Sequence, residues 1–230
     1  MENSLDAMVE VETLLDQMLE LYFSGMDSAK PNKHSFATAM SGFARLGQPE
    51  AVERLRNKME ELYRDSKDLE WEPDIAIYNN VMLAWSKAGQ PDQANAVLME
   101  ILESGTIVPN ESSFHAVLMG WSKTGKPESA EELLHQMHEW YVAGAHDSPP
   151  TTQTYNIVLD SWAKSGRQDA WQRGRDILRH MEALYKAGED GVKPNVITWN
   201  TALNCFRNCG KGDFHHAFKF LEDFLQAIDE

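Results

Sequence analysis

The sequence is poor in features that mark several common protein classes. It has only two cysteines in 230 residues, which excludes a disulfide framework and favours a reducing compartment. No apolar run approaches the roughly 18 residues that a membrane-spanning helix needs, so we expect no membrane partner. Basic residues are outnumbered 21 to 36 by acidic ones, and the formal net charge is −15. Such a charge disfavours nonspecific nucleic-acid binding, which depends on neutralising phosphates.

Motifs that carry chemistry are missing as well. The sequence contains no phosphate-cradling glycine loop, no HExxH and no recognisable Ser/His/Asp set. Cys205 and Cys209 precede His215 and His216, but this spacing is not that of a standard zinc finger. We therefore expect no enzyme activity, no cofactor and no metal site.

The two ends of the sequence have apolar residues at helical spacing, around Leu14–Tyr22 and Phe220–Ile228. The acidic start has neither the basic-then-apolar pattern of a secretory signal nor the Arg-rich pattern of an organellar transit peptide. Because neither end has a linker or a polar cap, we expect the sequence to be part of a longer chain.

What the sequence does contain is an internal repeat. Five glycines lie 42, 36, 41 and 44 residues apart, and an aromatic residue stands both eleven and four positions before each of them. A Pro-Asn, Pro-Asp or Pro-Thr pair closes each segment. The glycines are Gly47, Gly89, Gly125, Gly166 and Gly210. Repeats of this length are typical of solenoids.

Each repeat is predicted to form two helices. Aromatic residues seven positions apart share one face of the first helix. The glycine then supplies a left-handed helix stop, and Pro49, Pro91 and Pro127 suit the first turn of the second helix. Since one hairpin cannot bury its apolar face, stacked hairpins must share a core. The predicted fold class is all-α, a right-handed α-solenoid of stacked helical hairpins.

We expect residues 1–230 to form a single repeat array. Complete repeats are predicted at 33–74, 75–110, 111–151 and 152–195, with partial ones at 3–32 (a second helix) and 196–230. In the longer repeats the additional residues lie between the apolar face of the second helix and the next proline. We therefore expect the additional residues at the end of the second helix and in the loop after it.

The segments Ile75–Gly89 and Val196–Phe206 resemble the first helix of a pentatricopeptide repeat, and Gly191–Asn195 resembles the seam between such repeats. The Trp/Leu-Gly/Tyr pattern of tetratricopeptide repeats is absent. The resemblance implies binding of single-stranded RNA at one base per repeat, through first helices that line a groove. It also implies that the fifth and last residues of each repeat, which we call the selector residues, choose the base.

By this register the selector pairs are Ala37/Asp74, Asn79/Asn110, His115/Thr151 and Asn156/Asn195, and Asn200 opens a fifth. The resemblance implies that the two Asn/Asn pairs favour pyrimidines, whereas the other pairs receive no base. It further implies base stacking by the second residue of each repeat. Those residues are His34, Ala76, Ser112, Gln153 and Ile197.

Purely structural interpretations of the same residues remain open beside the RNA-binding ones. The asparagines are equally typical of solvated positions near a helix N-terminus. The basic residues Arg45, Lys87, Lys123 and Lys164 suit phosphate contacts, but a cation in the last turn also stabilises the helix dipole. The aromatic residues four before each glycine, Phe43, Trp85, Trp121, Trp162 and Phe206, are interpreted as core rather than base platforms.

The charge is unevenly divided along the repeat. Residues 33–47, 75–89, 111–125, 152–166 and 196–210, the first helices, carry +4 in total, which leaves −19 for the rest. We expect an acidic outer wall, whose effect on the groove is screened over about 8 Å at physiological salt.

The functional hypothesis, implied by the resemblance, is sequence-selective single-stranded RNA binding in organellar RNA processing, stability or translation, in a mitochondrion or plastid. The alternatives are a protein-binding helical scaffold, with a partner on the acidic outer face, and the RNA-binding segment of a larger RNA-processing enzyme.

Overall fold

The computed structural model describes residues 2–207, and these form ten α-helices and three short 3-10 helices without a strand. The first and second helices of each predicted repeat alternate along the chain. The α-helices are α1 (Glu2–Phe23), α2 (Lys33–Arg45), α3 (Pro49–Ser66), α4 (Ile75–Lys87), α5 (Pro91–Ser104), α6 (Glu111–Thr124), α7 (Pro127–Val142), α8 (Thr152–Lys164), α9 (Ala170–Lys186) and α10 (Val196–Phe206).

The helices pack as hairpins whose first helices also pack on one another. Within the hairpins, α2 lies against α3, α4 against α5, and α8 against α9. Between hairpins, α2 contacts α4 and α8 contacts α10. The chain divides into two compact units, Met1–Gly120 and Trp121–Glu230, with the division inside α6. The predicted class, an all-α solenoid of stacked helical hairpins, is confirmed.

The helix boundaries follow from residues at the repeat seams. Asn32, Asp74, Thr151 and Asn195 are N-caps, and each side chain accepts a hydrogen bond from a backbone N–H of the first turn that follows. Gly47, Gly89, Gly125 and Gly166 follow the first helices in the left-handed region, with φ between +67° and +80°. The predicted start and stop signals are therefore confirmed in this part of the chain, while Gly210 lies outside the described residues.

A column of small residues lets neighbouring helices approach closely. A Cβ built on Gly120 would lie 2.7 Å from Ser86 Oγ and 2.9 Å from Pro91 Cβ. Cys205 occupies the same column and is fully buried, with its Sγ 3.6 Å from the backbone oxygen of Leu159. Cys205 is thus a packing residue in this structure.

Of the four residues in the zinc interpretation, only Cys205 lies within the described range. No group of three or more metal-ligating side chains occurs within residues 2–207, and Cys209, His215 and His216 lie outside them. Within the same range no helix is both long and apolar enough to cross a membrane.

The additional residues of the longer repeats lengthen the second helix and the loop, as predicted. Helix α5, in the shortest repeat, has 14 residues, whereas α3 has 18, α7 has 16 and α9 has 17. The loops after α3 and α9 each contain a 3-10 helix with one buried apolar residue, Trp71 and Val192.

Trp71 anchors the first of these loops on the preceding seam. Its side chain is 2% exposed, and its Nε1 donates a hydrogen bond to the backbone oxygen of Pro31 at 2.8 Å. The ring lies edge-on to Tyr22, with 5.7 Å between the centroids, and Lys30 Nζ is 5.2 Å from the centroid. Lys30 also pairs with Asp68. We call this group the Trp71 bracket.

The loop after α7 is held by a buried histidine. His146 Nδ1 accepts from the backbone N–H of Ser148 at 3.1 Å, so Nε2 carries the proton and donates to the Met137 backbone oxygen at 3.0 Å. Burial lowers the pKa of His146, although the Met137 carbonyl and Asp147 oppose the shift. The imidazole is therefore neutral near pH 7.

Candidate nucleic-acid interface

The predicted selector residues occupy two equivalent places in each repeat. The fifth residue lies in the second turn of a first helix, and the last residue is the N-cap of the next first helix. In repeat 75–110 this arrangement brings the cap Asn110 into contact with the fifth residue, Asn79. The selector column is therefore also a capping column, which gives Asp74, Asn110, Thr151 and Asn195 a structural role that the register alone did not reveal.

Asn79 and Asn110 lie in direct contact within the first unit. Asn79 Nδ2 donates to Asn110 Oδ1 at 3.2 Å. Ser113 adds a third member, because its Oγ lies 2.7 Å from Asn79 Oδ1 and its backbone N–H donates to Asn110 Oδ1 at 3.3 Å. Both asparagines are partly exposed, whereas Ser113 is completely buried. Two residues that are distant in sequence thus present their amides together.

The second Asn/Asn pair has a different local network. Asn195 Oδ1 accepts from the backbone N–H of Thr198 at 3.0 Å and from Thr198 Oγ1 at 3.2 Å. Asn156 Oδ1 is buried and has no hydrogen-bond partner among the described residues. Asn156 therefore carries an unsatisfied acceptor, a costly state for a buried polar atom.

The pair Ala37/Asp74 offers one polar side chain. Asp74 accepts from the backbone N–H groups of Ala76 at 3.0 Å and Ile77 at 3.3 Å. Lys33 Nζ lies 3.9 Å from its other oxygen. The backbone oxygen of Ala37 accepts from Asn80 Nδ2 at 3.4 Å. Asp74 is thus mainly engaged in capping α4.

His115 and Thr151 belong to different compact units of the chain. His115 is half-buried, and its Nε2 is 3.6 Å from Glu111 Oε1. Burial lowers the pKa of His115, while Glu111 opposes that shift. Thr151 caps α8 through a capping box with Thr154. Asn200, on α10, is exposed.

The second residues of the repeats share one property. All five are exposed, at the N-terminal turn of a first helix, and Ile197 is 63% exposed although it is a large aliphatic side chain. An exposed isoleucine beside the selector column suits stacking against a base. The five are His34, Ala76, Ser112, Gln153 and Ile197.

The basic column is exposed at the ends of the first helices. Lys164 pairs with Asp160 at 2.5 Å, and Asp160 also accepts from Ser122 Oγ at 2.9 Å. An exposed pair of this kind contributes only about 0–1 kcal/mol, so it does not prevent a phosphate contact. The column consists of Arg45, Lys87, Lys123 and Lys164.

The aromatic column belongs to the packing of the helices. Phe43, Trp121 and Trp162 are buried, whereas Trp85 and Phe206 are half-buried. Trp85 Nε1 donates to a Glu53 carboxylate oxygen at 3.0 Å, and Trp162 Nε1 donates to Glu131 at 2.8 Å. These bonds join a first helix to the preceding second helix. The interpretation of this column as core rather than as base platforms fits these contacts.

Carboxylates of the second helices are partly neutralised by ion pairs between successive hairpins. Arg54 lies 3.2 Å from Glu12, and Arg173 lies 3.6 Å from Glu131. Lys58 pairs with Asp16. These contacts reduce the local field of the acidic residues, most of which lie outside the first helices.

Sequence reasoning missed Ser113 as part of the site. Its signal was present, since a serine or threonine stands three residues after the seam in four of the five first helices, where it completes a capping box. That local role does not reveal its contact with Asn79. The four residues are Ser35, Ser113, Thr154 and Thr198.

Three stretches of the chain, 34–63, 76–106 and 112–142, match the family model of the PPR repeat. The structure of the pentatricopeptide repeat protein PPR10 from maize is similar over 93% of this chain, with a TM-score of 0.58 and 23% identity. PPR10 in complex with an 18-nt psaJ RNA element is also similar, with a TM-score of 0.57 and 19% identity over 93% of this chain.

The chain spans 27% of the first PPR10 structure's length and 29% of the second's. At these identities the likeness shows the fold. No curated protein sequence matches the chain.

Proposed function

We propose that this chain, which contains pentatricopeptide repeats, binds single-stranded RNA selectively and acts by masking a short site. The setting that the family favours is organellar RNA processing, stability or translation, in a mitochondrion or plastid. The RNA complex of PPR10, a protein with a similar fold, supports an RNA ligand. Catalysis is not part of this proposal.

The observation that carries the proposal is the contact between Asn79 and Asn110. Their side chains lie 3.2 Å apart although they are 31 residues apart in the sequence, at the two ends of repeat 75–110. An amide offers both donors and an acceptor, which is what the Watson–Crick edge of an unstacked base requires. The second residues of this repeat and the next, Ala76 and Ser112, are also exposed.

Electrostatics sets the expected strength of this binding. The first helices carry +4, against −19 for the rest of the chain, so long-range attraction of RNA is weak. Because charges farther away than about 8 Å are largely screened at physiological salt, the local cations of the groove retain their effect. We therefore expect the RNA to be held mainly by contacts to its bases. Unlike phosphate contacts, these contacts depend on the RNA sequence and so make the binding selective.

Titration with short labelled RNAs tests the proposal. Pyrimidine-rich RNA is expected to bind, and the double variant Asn79→Ala/Asn156→Ala to bind at least tenfold more weakly, because each lost contact costs about 1 kcal/mol or more. Asn57→Ala is the matched control, since Asn57 is an exposed asparagine on the second helix α3. Circular dichroism verifies that each variant is folded.

Two results would overturn the proposal. One is the absence of binding to any RNA at low salt, which would instead favour a protein-binding scaffold. The other is a folded double variant that binds as tightly as the parent protein.

A further inference from the structure

We propose that Ser113 is a positioning residue that holds the Asn79 amide in one orientation, so that repeat 75–110 prefers cytosine to uracil. Repeat 152–195 has the same Asn/Asn pair, but no such hydroxyl fixes its fifth residue, Asn156, so this repeat accepts both pyrimidines. We call the hydrogen bonds that fix Asn79 the lock. The inference rests on the proposed function and refines which base each repeat takes. It concerns a contact between repeats rather than the identity of the selector residues.

The orientation of the first pair follows from one backbone group. The N–H of Ser113 can only donate, and it points at Asn110 at 3.3 Å, so the Asn110 atom there is the oxygen. That oxygen is 3.2 Å from an Asn79 side-chain atom, which must then be the nitrogen, because two carbonyl oxygens would repel. The Asn79 oxygen consequently faces Ser113 Oγ at 2.7 Å.

The hydroxyl of Ser113 completes the lock. It has one hydrogen, and its distance to Asn79 Oδ1, 2.7 Å, is much shorter than the 3.3 Å to Asn110 Oδ1. The hydroxyl therefore donates to Asn79. The Asn79 oxygen is thus bonded to Ser113, and one N–H of its amide is bonded to Asn110. The second N–H of Asn79 remains, which makes this position a hydrogen-bond donor.

The second pair lacks the corresponding bonds. Thr198 occupies the place of Ser113, but its hydroxyl donates to Asn195 at 3.2 Å. Asn156 Oδ1 is a buried acceptor without a partner in the described part of the chain. An amide with an unsatisfied oxygen gains by turning that oxygen toward an incoming donor. Asn156 can thus present either its oxygen or its nitrogen.

The proposal places the Asn79 amide at position N3 of the base, where the two pyrimidines differ. Position N3 of cytosine is an acceptor, whereas N3 of uracil carries a hydrogen and is a donor. At N3 the fixed N–H of Asn79 suits cytosine, whereas uracil requires the amide to turn and to lose its bonds to Ser113 and Asn110. Two bonds are then lost and one to uracil is gained, and a net loss of about one hydrogen bond weakens uracil binding about fivefold. The unlocked Asn156 meets either base without this cost.

A scan in which each cytosine of a short single-stranded RNA is replaced by uracil tests this directly. For the parent protein, one position is expected to weaken about fivefold on replacement, and the position two nucleotides away is expected to change little. In Ser113→Ala the first preference disappears, because the Asn79 oxygen is released. Ser113→Thr restores the hydroxyl and the preference.

Thr198→Ala is the matched control. It removes the hydroxyl of an equivalent capping box, also fully buried, yet it leaves the cytosine preference intact. If Ser113→Ala does not fold, Ser113→Cys keeps the side-chain volume while weakening the hydrogen bond, and the same loss of preference is expected.

The outcomes separate the two proposals. Failure of the parent protein to bind any RNA overturns the proposed function. Binding with a cytosine preference that survives in folded Ser113→Ala, or that Thr198→Ala removes equally, overturns the role of Ser113 alone.

Discussion

Replacing Trp71 with phenylalanine tests whether the lengthened loop of repeat 33–74 supports the stack. Trp71 is 2% exposed, and its Nε1 donates to the Pro31 backbone oxygen at 2.8 Å. Phenylalanine keeps most of the ring packing on Tyr22 but leaves that carbonyl unpaired. An unsatisfied buried acceptor costs about 1–3 kcal/mol. The weaker cation–π contact of Lys30 with phenylalanine adds less than about 1 kcal/mol.

We therefore expect Trp71→Phe to lower the free energy of unfolding by about 2 kcal/mol and Trp71→Ala by about 3–5 kcal/mol. Urea unfolding followed by circular dichroism measures this loss. Hydrogen exchange adds a local measurement, because the bracket ties the loop to α1, and the α1 amides should lose protection first.

The control for Trp71 is its neighbour Leu69, which is 68% exposed. Leu69→Ala should change the stability by less than about 0.5 kcal/mol. The reasoning is refuted if Trp71→Phe is as stable as the parent protein, or if Leu69→Ala costs as much as Trp71→Phe.

Three further predictions concern packing, charge and pH. Gly120→Ala should destabilise the protein by about 1–3 kcal/mol in urea, although alanine favours helix, because its Cβ would meet Ser86; Gly191→Ala, which meets no atom within 4 Å, should be neutral. The salt dependence of RNA affinity should have a log–log slope no steeper than about −3, since four column cations contribute roughly 0.7 each, and a steeper slope would show further phosphate contacts. Stability should fall as the pH drops below about 6.5, because the lowered pKa of His146 means that the unfolded chain binds the proton more readily. Melting curves of His146→Gln should show a weaker pH dependence, and an unchanged one would contradict the assignment.

The fold was predictable from the sequence because its determinants are local. The N-caps Asn32 and Asn195 bind N–H groups three residues away, and Gly47 needs only its own left-handed backbone. These interactions recur in the repeats that the structure describes completely, so their period alone indicated helix boundaries and hairpins. The small-residue column, including Gly120 and Cys205, was visible for the same reason.

The family register located the selector residues in the sequence, but it did not indicate which hydrogen bonds their side chains make. Asn79 and Asn156 have identical partners in the register, yet Ser113 holds Asn79, whereas the oxygen of Asn156 has no hydrogen-bond partner within residues 2–207. The difference lies in whether the hydroxyl three residues after the seam bonds the fifth residue, as Ser113 does, or the cap, as Thr198 does. A one-dimensional pattern carries no information about distances of a few tenths of an ångström.

The repeated caps, helix stops and apolar faces of this chain were determined by its sequence, because each depends on residues within a turn or two. Tertiary structure alone decided that Trp71 closes on Pro31 and that Ser113 orients Asn79. Those contacts join residues about a repeat apart, and they form only when stacked hairpins bring their backbones into register.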